Sequence, residues 1–253
     1  MKIIESTKNE WLKQVKKLEK KKFRDLENRY LIEGEHLVEE AINNEGDIQH
    51  ILVTETSLVE FENLLATIDD EQLVLVTEDI LKHLSHLPSV PSIMAIIGKG
   101  NQEKKETKTN HLLLLDNVQD PGNVGTMIRT ADAAGFVGVI LGEGSADIYN
   151  SKVLRSMQGS QFHLNLREAN LLEIIETLKE EGYQIYATEL NPEAIAYQQI
   201  ETSEKIAFIM GNEGQGVSQE LIEASHQTVY IPMKGKAESL NVAVAAGILM
   251  FSV

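Results

Sequence analysis

The stretches that decide the fold are GNEGQGVSQEL at residues 211–221 and IPMKGKAESLNVAVAAGILMF at residues 231–251. Each is a polar loop that follows a short apolar run and leads into a helix-like segment. A third loop of this kind, DNVQDPGNVGTMIRTADAAG, occupies residues 116–135. In α/β sheets such strand-to-helix loops share one edge, where ligands bind. The three loops therefore predict a small-molecule pocket built largely from main chain, and they suggest an enzyme.

The rest of the chain alternates apolar runs with helix-like segments. After residue 110 the runs, such as HLLLLD at 111–116 and KIAFIM at 205–210, are nearly continuous. Strands of this kind, separated by helices, indicate a parallel sheet covered on both faces. A shorter alternation, from YLIEG at 30–34 to SIMAIIG at 92–98, predicts a smaller α/β domain ahead of it.

A polar segment separates these two parts. KGNQEKKETKTN, at 99–110, contains no aliphatic or aromatic side chain and is typical of a linker. We therefore expect a first domain at 1–98, a linker at 99–110 and a second domain at 111–253.

Composition limits the functional classes. The 253 residues include no cysteine, which excludes disulfides and thiolate metal sites and fits a reducing compartment. No apolar stretch approaches the roughly 20 residues that span a bilayer, and MKIIESTKNEW lacks the apolar core of a signal peptide. We expect a cytoplasmic protein with no membrane segment and no metal.

The charge is unevenly distributed. The formal net charge of −16 counts against a nucleic-acid partner, but residues 1–24 contain nine basic and three acidic side chains, a net of +6. A basic run is usually a solvated helix face. It becomes an RNA-binding candidate only if the pocket chemistry requires RNA. The cations concerned are Lys16, Lys20, Lys21 and Arg24.

The loop at 116–135 predicts a helix that begins at Asn123, a good N-cap residue. Arg129 lies off the apolar stripe of this helix. Helix position alone favours an ordinary surface arginine, whereas its place after a strand end favours a ligand contact. The apolar stripe comprises Val124, Met127, Ile128, Ala131 and Ala134.

The loop at 211–216 carries three glycines, which permit positive φ and close approach of a ligand. Alone, they favour only a turn. The lysine of a P-loop and the G-x-G-x-x-G pattern are both missing. Glu213 would repel a phosphate, so it favours a nucleoside that carries a positive centre.

The third loop ends at a helix. Ser239 and Asn241 flank Leu240 just before residues 242–251, which are apolar almost all round. Such a helix must be buried on more than one side, by its own domain and by a partner subunit. The two polar residues could serve only as helix caps, or could also line a pocket.

Taken in order, N-x-G-x-x-x-R at 123–129, MGNEGQG at 210–216 and IPM…ESLNVAVAAGI at 231–248 resemble the three motifs of the SpoU (TrmH-type) branch of the SPOUT methyltransferases. The N-terminal part, with its basic segment and YLIEGEHLVEEA, resembles the L30e-like substrate-binding domain that often precedes it, as in 23S rRNA ribose methyltransferases. The resemblance covers nearly the whole chain.

This resemblance implies an α/β fold: a SPOUT α/β-knot, a parallel sheet with a deep trefoil knot, preceded by a smaller L30e-like domain. It implies S-adenosylmethionine as cofactor and a homodimer in which Arg129 approaches the partner's cofactor. The implied cofactor contacts are Gly211, Gly216, Ile231, Met233 and Leu240, and the implied catalytic residues are Asn123, Arg129, Glu213, Ser239 and Asn241. Lys152 and Arg155 would contact RNA phosphates.

The predicted function is 2′-O-ribose methylation of RNA, with ribosomal RNA favoured because of the L30e-like domain. The alternatives are a tRNA ribose methyltransferase, base methylation as in other SPOUT branches, and an RNA-binding protein that has lost the chemistry. An ordinary doubly wound nucleotide enzyme is disfavoured by the missing G-x-G-x-x-G.

Overall fold

The structure, a computed structural model, describes residues 1–100 and 109–253. These residues form two compact units. One comprises residues 1–100 together with Tyr149–Leu154, and the other comprises residues 109–148 and Arg155–Val253. Of the expected linker, residues 101–108 lie outside the described part of the chain.

The N-terminal unit is built around a five-stranded mixed sheet of order β1-β4-β3-β5-β2. Strands β1, β4 and β3 run parallel, and β5 is antiparallel to both β3 and β2. The strands are β1 (Lys2–Ile4), β2 (Arg29–Glu33), β3 (Ile48–Val53), β4 (Leu73–Val76) and β5 (Ile93–Gly98). The helices are α1 (Glu10–Lys17), α2 (Lys21–Glu27), α3 (Glu35–Asn43), α4 (Glu55–Glu60), α5 (Glu62–Leu65) and α6 (Glu78–Leu84).

The basic segment forms two helices, α1 and α2, where we expected one. Asn9 caps α1 by accepting a hydrogen bond from the Trp11 backbone nitrogen at 2.9 Å. Leu12 and Val15 are buried in a core cluster with residues of the sheet, at roughly 1.5–3 kcal/mol per side chain. The chain then turns, and Arg24 Nη1 donates to the carbonyl of the buried Leu18 at 2.7 Å.

The C-terminal unit contains a seven-stranded sheet of order β10-β12-β9-β11-β6-β7-β8 in which every pairing is parallel, as predicted. The strands are β6 (Leu112–Leu115), β7 (Gly138–Leu141), β8 (Asn165–Glu168), β9 (Gln184–Thr188), β10 (Ile195–Ala196), β11 (Ile206–Met210) and β12 (Gln227–Tyr230). The helices of this part of the chain are α7 (Pro121–Ala133), α8 (Ser151–Met157), α9 (Leu171–Glu180), α10 (Gln219–Ala224) and α11 (Val242–Met250); the residues of α8 up to Leu154 belong to the N-terminal unit.

The strand order brings the three loops together. Strand β11 lies between β9 and β6, although β7 and β8 come between β6 and β9 along the chain. The loops that follow β6 and β11 are therefore neighbours at the carboxyl edge of the sheet. Helix α11 packs on α7 and β11, so the chain after β12 returns to the same region.

Two local predictions were wrong. Asn123 is not the N-cap of α7, because Asp120 takes that position and accepts from the Asn123 backbone nitrogen at 2.9 Å, with Pro121 opening the helix. The strand that the run FHLNL at 162–166 predicts begins only at Asn165, as β8, because residues 160–162 form a 3₁₀ turn after Gly159, whose φ is 97°. None of the described helices is long and apolar enough to cross a bilayer.

Candidate active site

The carboxyl edge of the second sheet carries a cleft of about 870 Å³. Its walls come from the loops after β11 and β12 and from residues 188–190, at the end of β9. The cleft brings together most of the predicted site, namely Gly211, Glu213, Gly216, Ile231, Met233, Ser239, Leu240 and Asn241. Thr188, Glu189 and Leu190 also line it and were not predicted. Thr188, the polar residue that ends the apolar run YQIYAT, is the sequence feature that could have indicated them.

The loop at 211–216 is a tight reversal. The backbone groups of Asn212 and Gly216 exchange two hydrogen bonds, at 3.0 and 2.9 Å, and Gly216 has a φ of +74°. The Asn212 side-chain oxygen accepts from the backbone nitrogens of Gly214 at 2.9 Å and Gln215 at 3.1 Å. The loop therefore keeps its shape through its own hydrogen bonds.

Two contacts fix this loop to the one after β6. Asn212 Nδ2 donates to the Asn117 carbonyl at 2.9 Å, and Asp116 Oδ2 accepts from the Ser218 backbone nitrogen at 2.7 Å. Asn117 has a φ of 53°, which is uncommon for a residue other than glycine. Loops that are distant in sequence thus share one hydrogen-bonded framework.

The carboxylate of Glu213 joins the same framework. It accepts from Asn123 Nδ2 at 3.0 Å and from the backbone nitrogens of Asp120 at 3.2 Å and Gln119 at 3.3 Å. Burial raises the pKa of Glu213, but the hydrogen bonds from Asn123 and from these backbone groups outweigh it, so its pKa lies below the usual value. Glu213 is therefore an anion at neutral pH.

Asn123 connects Glu213 to the third loop. Its side-chain oxygen accepts from Asn241 Nδ2 at 3.0 Å, while Asn241 Oδ1 caps α11 by accepting from the backbone nitrogens of Ala243 at 2.9 Å and Val244 at 3.3 Å. Asn241 is thus both a helix cap and a wall of the cleft, as one of our two interpretations allowed. The chain Glu213–Asn123–Asn241 links all three loops.

Arg129 lies apart from this framework. It is exposed on α7 and does not line the cleft of its own chain. On α8, Lys152 is exposed and Arg155 is half-buried, with Nη1 making no hydrogen bond to any described residue.

In the N-terminal unit, Lys20 and Lys21 are exposed, and Lys16 pairs with Glu19 at 3.3 Å. Arg24 is only 4% exposed, which differs from the solvent-facing position we expected, because its guanidinium supports the turn after α1.

The cleft suits a cofactor with a nucleoside and a positive centre. Glu189, Glu213 and Glu238 supply carboxylates, and Ile231 and Leu240 supply apolar side chains beside main chain. Such a lining can hold an aromatic base and attract a sulfonium. Within the described residues, no group of three His, Asp or Glu side chains is arranged to hold a metal ion. The fold and cleft together define an α/β enzyme that binds a nucleoside cofactor.

Comparisons with known proteins agree with this class. Residues 110–251 match the SpoU rRNA Methylase family, and residues 9–95 match the MRM3-like substrate binding domain. The chain is 46% identical over 251 residues to the Bacillus subtilis 23S rRNA (guanosine(2553)-2′-O)-methyltransferase RlmP, covering 99% of this chain and 98% of the relative.

Solved structures give the same result. The AdoMet-bound rRNA methyltransferase from Sinorhizobium meliloti superposes with a TM-score of 0.87 at 29% identity, covering 99% of this chain and 96% of that one. An RNA 2′-O ribose methyltransferase superposes with a TM-score of 0.81 at 30% identity, covering 99% and 97%.

The chain belongs to the SpoU rRNA methylase family. It is an S-adenosylmethionine-dependent RNA ribose 2′-O-methyltransferase with the α/β-knot fold and a smaller N-terminal substrate-binding domain, as predicted.

Proposed function

We propose that this enzyme methylates the 2′-hydroxyl of a guanosine in 23S rRNA, in the cytoplasm. Support for this RNA comes from the Bacillus subtilis relative, which is named for that substrate and aligns over 99% of this chain. The N-terminal unit supports it too, because residues 9–95 match the MRM3-like substrate binding domain.

The active form in this proposal is a homodimer. On α11, Val244 is 53% exposed, and the adjacent Phe251 is 65% exposed. Large apolar side chains exposed together favour an interface. Because Arg129 does not line the cleft of its own chain, Arg129 of the partner subunit is the arginine that we assign to each cleft.

The reaction needs a methyl donor and a positioned hydroxyl. S-adenosylmethionine supplies the methyl group on its sulfonium. Main chain at Gly211, Ile231 and Leu240, with Gly216 and Met233, holds this cofactor in the proposal. The framework Glu213–Asn123–Asn241 keeps the loops in place, which reduces the entropic cost of orienting the two substrates.

Arg129 acts on the ribose. A guanidinium stays protonated in proteins, so it is not the base that removes the hydroxyl proton. Instead it binds the adjacent phosphate and stabilises the negative charge that develops on the 2′-oxygen, while the proton leaves to the phosphate or to water. Ser239 and Asn241 hold the ribose.

RNA affinity outside the cleft comes from cations in both parts of the chain. Lys152 and Arg155 on α8, and Lys16, Lys20 and Lys21 around the first two helices, contact phosphates in this proposal. We omit Arg24, because its buried guanidinium donates to the Leu18 carbonyl.

The observation that supports the proposal most strongly is the hydrogen-bonded framework that joins all three motif loops around one cleft.

The test compares Arg129→Ala with Arg167→Ala, which removes an exposed arginine on β8. Arg129→Ala should abolish methyl transfer while calorimetry shows nearly unchanged affinity for S-adenosylmethionine. Arg167→Ala should retain activity. Full activity in Arg129→Ala would refute the role, and high activity in Arg129→Lys would refute the requirement for a planar guanidinium.

A further inference from the structure

The N-terminal unit contains a second cavity, of about 280 Å³, that the methyl transfer does not use. Leu18, Leu31 and Leu84 supply apolar lining, and Tyr149 and Asn150, which belong to the same compact unit, contribute another wall. The volume lies just below the roughly 300–1,000 Å³ of pockets for drug-sized ligands. A flat ring of one or two cycles is the size of group that it accommodates.

A buried carboxylate lines this cavity. Glu33, on β2, is 8% exposed. Its Oε2 accepts from Ser85 Oγ at 2.5 Å and from the His86 backbone nitrogen at 3.2 Å. Both of its hydrogen bonds to described residues go to Oε2, so Oε1 has no donor there. Oε1 is not fully shielded from solvent, so it can accept a hydrogen bond from a ligand N–H group.

The aromatic wall is held firmly. The Tyr149 ring lies 4.5 Å from that of Tyr30, centroid to centroid, and Lys99 Nζ lies 4.5 Å from the Tyr149 centroid. Tyr30 is buried and packs against the Tyr149 ring, so packed structure restrains the position of Tyr149. An aromatic side chain fixed in this way can contact the face of a base.

Two lysines line the cavity. Lys16 pairs there with Glu19 at 3.3 Å, whereas the Lys20 side chain has no ion-pair partner within the described ranges. They belong to the segment 1–24, whose net charge is +6 in a chain of net charge −16. This local positive charge favours a polyanionic ligand over a cationic one.

We propose that this cavity binds one unpaired nucleobase of the RNA substrate, a base with an amino group such as guanine, adenine or cytosine. The amino group donates to Glu33 Oε1, the base lies against Tyr149, and Lys16 and Lys20 contact the neighbouring phosphates. The inference rests on the proposed function and adds to it a recognition site outside the methylation cleft.

The experiment measures methyl transfer to unmodified 23S rRNA by the full-length protein and three variants. Glu33→Gln keeps an acceptor for Ser85 and His86 but loses the charge. It should raise KM for RNA about tenfold, with kcat and S-adenosylmethionine affinity unchanged. Lys20→Ala should also raise KM. Lys22→Ala is the matched control, because Lys22 is exposed in the same basic segment but does not line the cavity.

A direct probe accompanies the kinetics. Saturation-transfer NMR with GMP and UMP should show a stronger signal for GMP, and Glu33→Gln should reduce it. An unchanged KM in Glu33→Gln, or equal effects of Lys20→Ala and Lys22→Ala, would overturn the site. If Glu33→Gln proves poorly folded, the site is tested by the KM values of Lys20→Ala and Lys22→Ala and by the GMP and UMP signals of the wild-type protein. Failure of the wild-type protein to methylate 23S rRNA would instead contradict the proposed function.

Discussion

A methyl group added at Gly211 would lie 2.1 Å from the carbonyl carbon of Gly216 and 2.2 Å from the Val217 backbone nitrogen. Both are backbone atoms of the loop that lines the cleft, so neither can move without opening the loop. The requirement for glycine at this position is therefore steric. It arises from close approach of two chain segments.

This contact gives a prediction at the residue scale. Gly211→Ala should destabilise the protein by about 1–3 kcal/mol and should weaken S-adenosylmethionine binding at least tenfold. Gly214→Ala is the matched control, because the nearest atom to its added methyl group is Asn212 Oδ1 at 3.6 Å, an ordinary contact. Thermal unfolding and calorimetry measure both effects. Equal behaviour of the two variants would contradict the steric account.

The structure shows where the predicted site residues lie, while their roles stay predictions. The motif pattern placed Gly211, Glu213 and Leu240 in one pocket, and the structure lines one cleft with them. The partners of Asn123 could not be predicted, because its hydrogen bonds join residues 90 and 118 positions away. Local sequence only indicated a helix cap. In the structure Asp120 is the N-cap, so the Asn123 side chain is available to hydrogen-bond Glu213 and Asn241.

At the scale of elements, two histidines stabilise the start of parallel strands. His111 lies just before β6, and its Nδ1 accepts from the backbone nitrogen of Ile206, the first residue of β11, at 3.1 Å. His226 lies just before β12, and its Nδ1 accepts from the backbone nitrogen of Ile185 in β9 at 3.1 Å. Burial lowers the pKa of His111, and burial together with the charge of Lys179 lowers the pKa of His226.

These pKa shifts predict how stability changes with pH. Both groups must be neutral to accept, and their folded pKa lies below the unfolded value of about 6.5. Their contribution is therefore complete above that value and is lost as the pH falls through the folded pKa. The melting temperature should drop between pH 7.5 and 5. His111→Asn, which keeps an acceptor that cannot be protonated, should reduce the drop, whereas an unchanged pH profile would count against this role.

Most elements followed from their apolar patterns. Long runs such as KIAFIM form strands because a sheet buried on both faces needs apolar residues at every position, and β11 is buried throughout. The two-residue strand β10 could not be predicted, since only its pairing with β12 defines it. The break between α1 and α2 also depends on a tertiary feature, the buried Leu18 and its contact with Arg24.

At the scale of the whole molecule, the exposed apolar residues of α11 predict association. Val244→Asp should convert the proposed dimer to monomers, because a charge would be buried in the interface. Methyl transfer should then be lost, as each cleft lacks Arg129 of the partner subunit. Val59→Asp is the control, since Val59 is 75% exposed in the N-terminal unit. Light scattering reports the mass, and a wild-type protein that is monomeric yet active would contradict the dimer.

Fold class, family and chemistry could be predicted from sequence because three separate motifs occur in order along the catalytic domain. The RNA-binding surface stays a prediction. Net charge averages over the chain and does not show where the cations of the basic segment lie, and Arg24 shows that a basic residue there can be buried.

The proposed activity is tested by a map of 2′-O-methyl positions in unmodified 23S rRNA after incubation with the purified protein and S-adenosylmethionine. We expect one new ribose methylation, on a guanosine, with wild-type protein and none with Arg129→Ala. A methyl group on a base, or the absence of any new ribose methylation with correctly folded wild-type protein, would contradict ribose methylation of 23S rRNA by this enzyme.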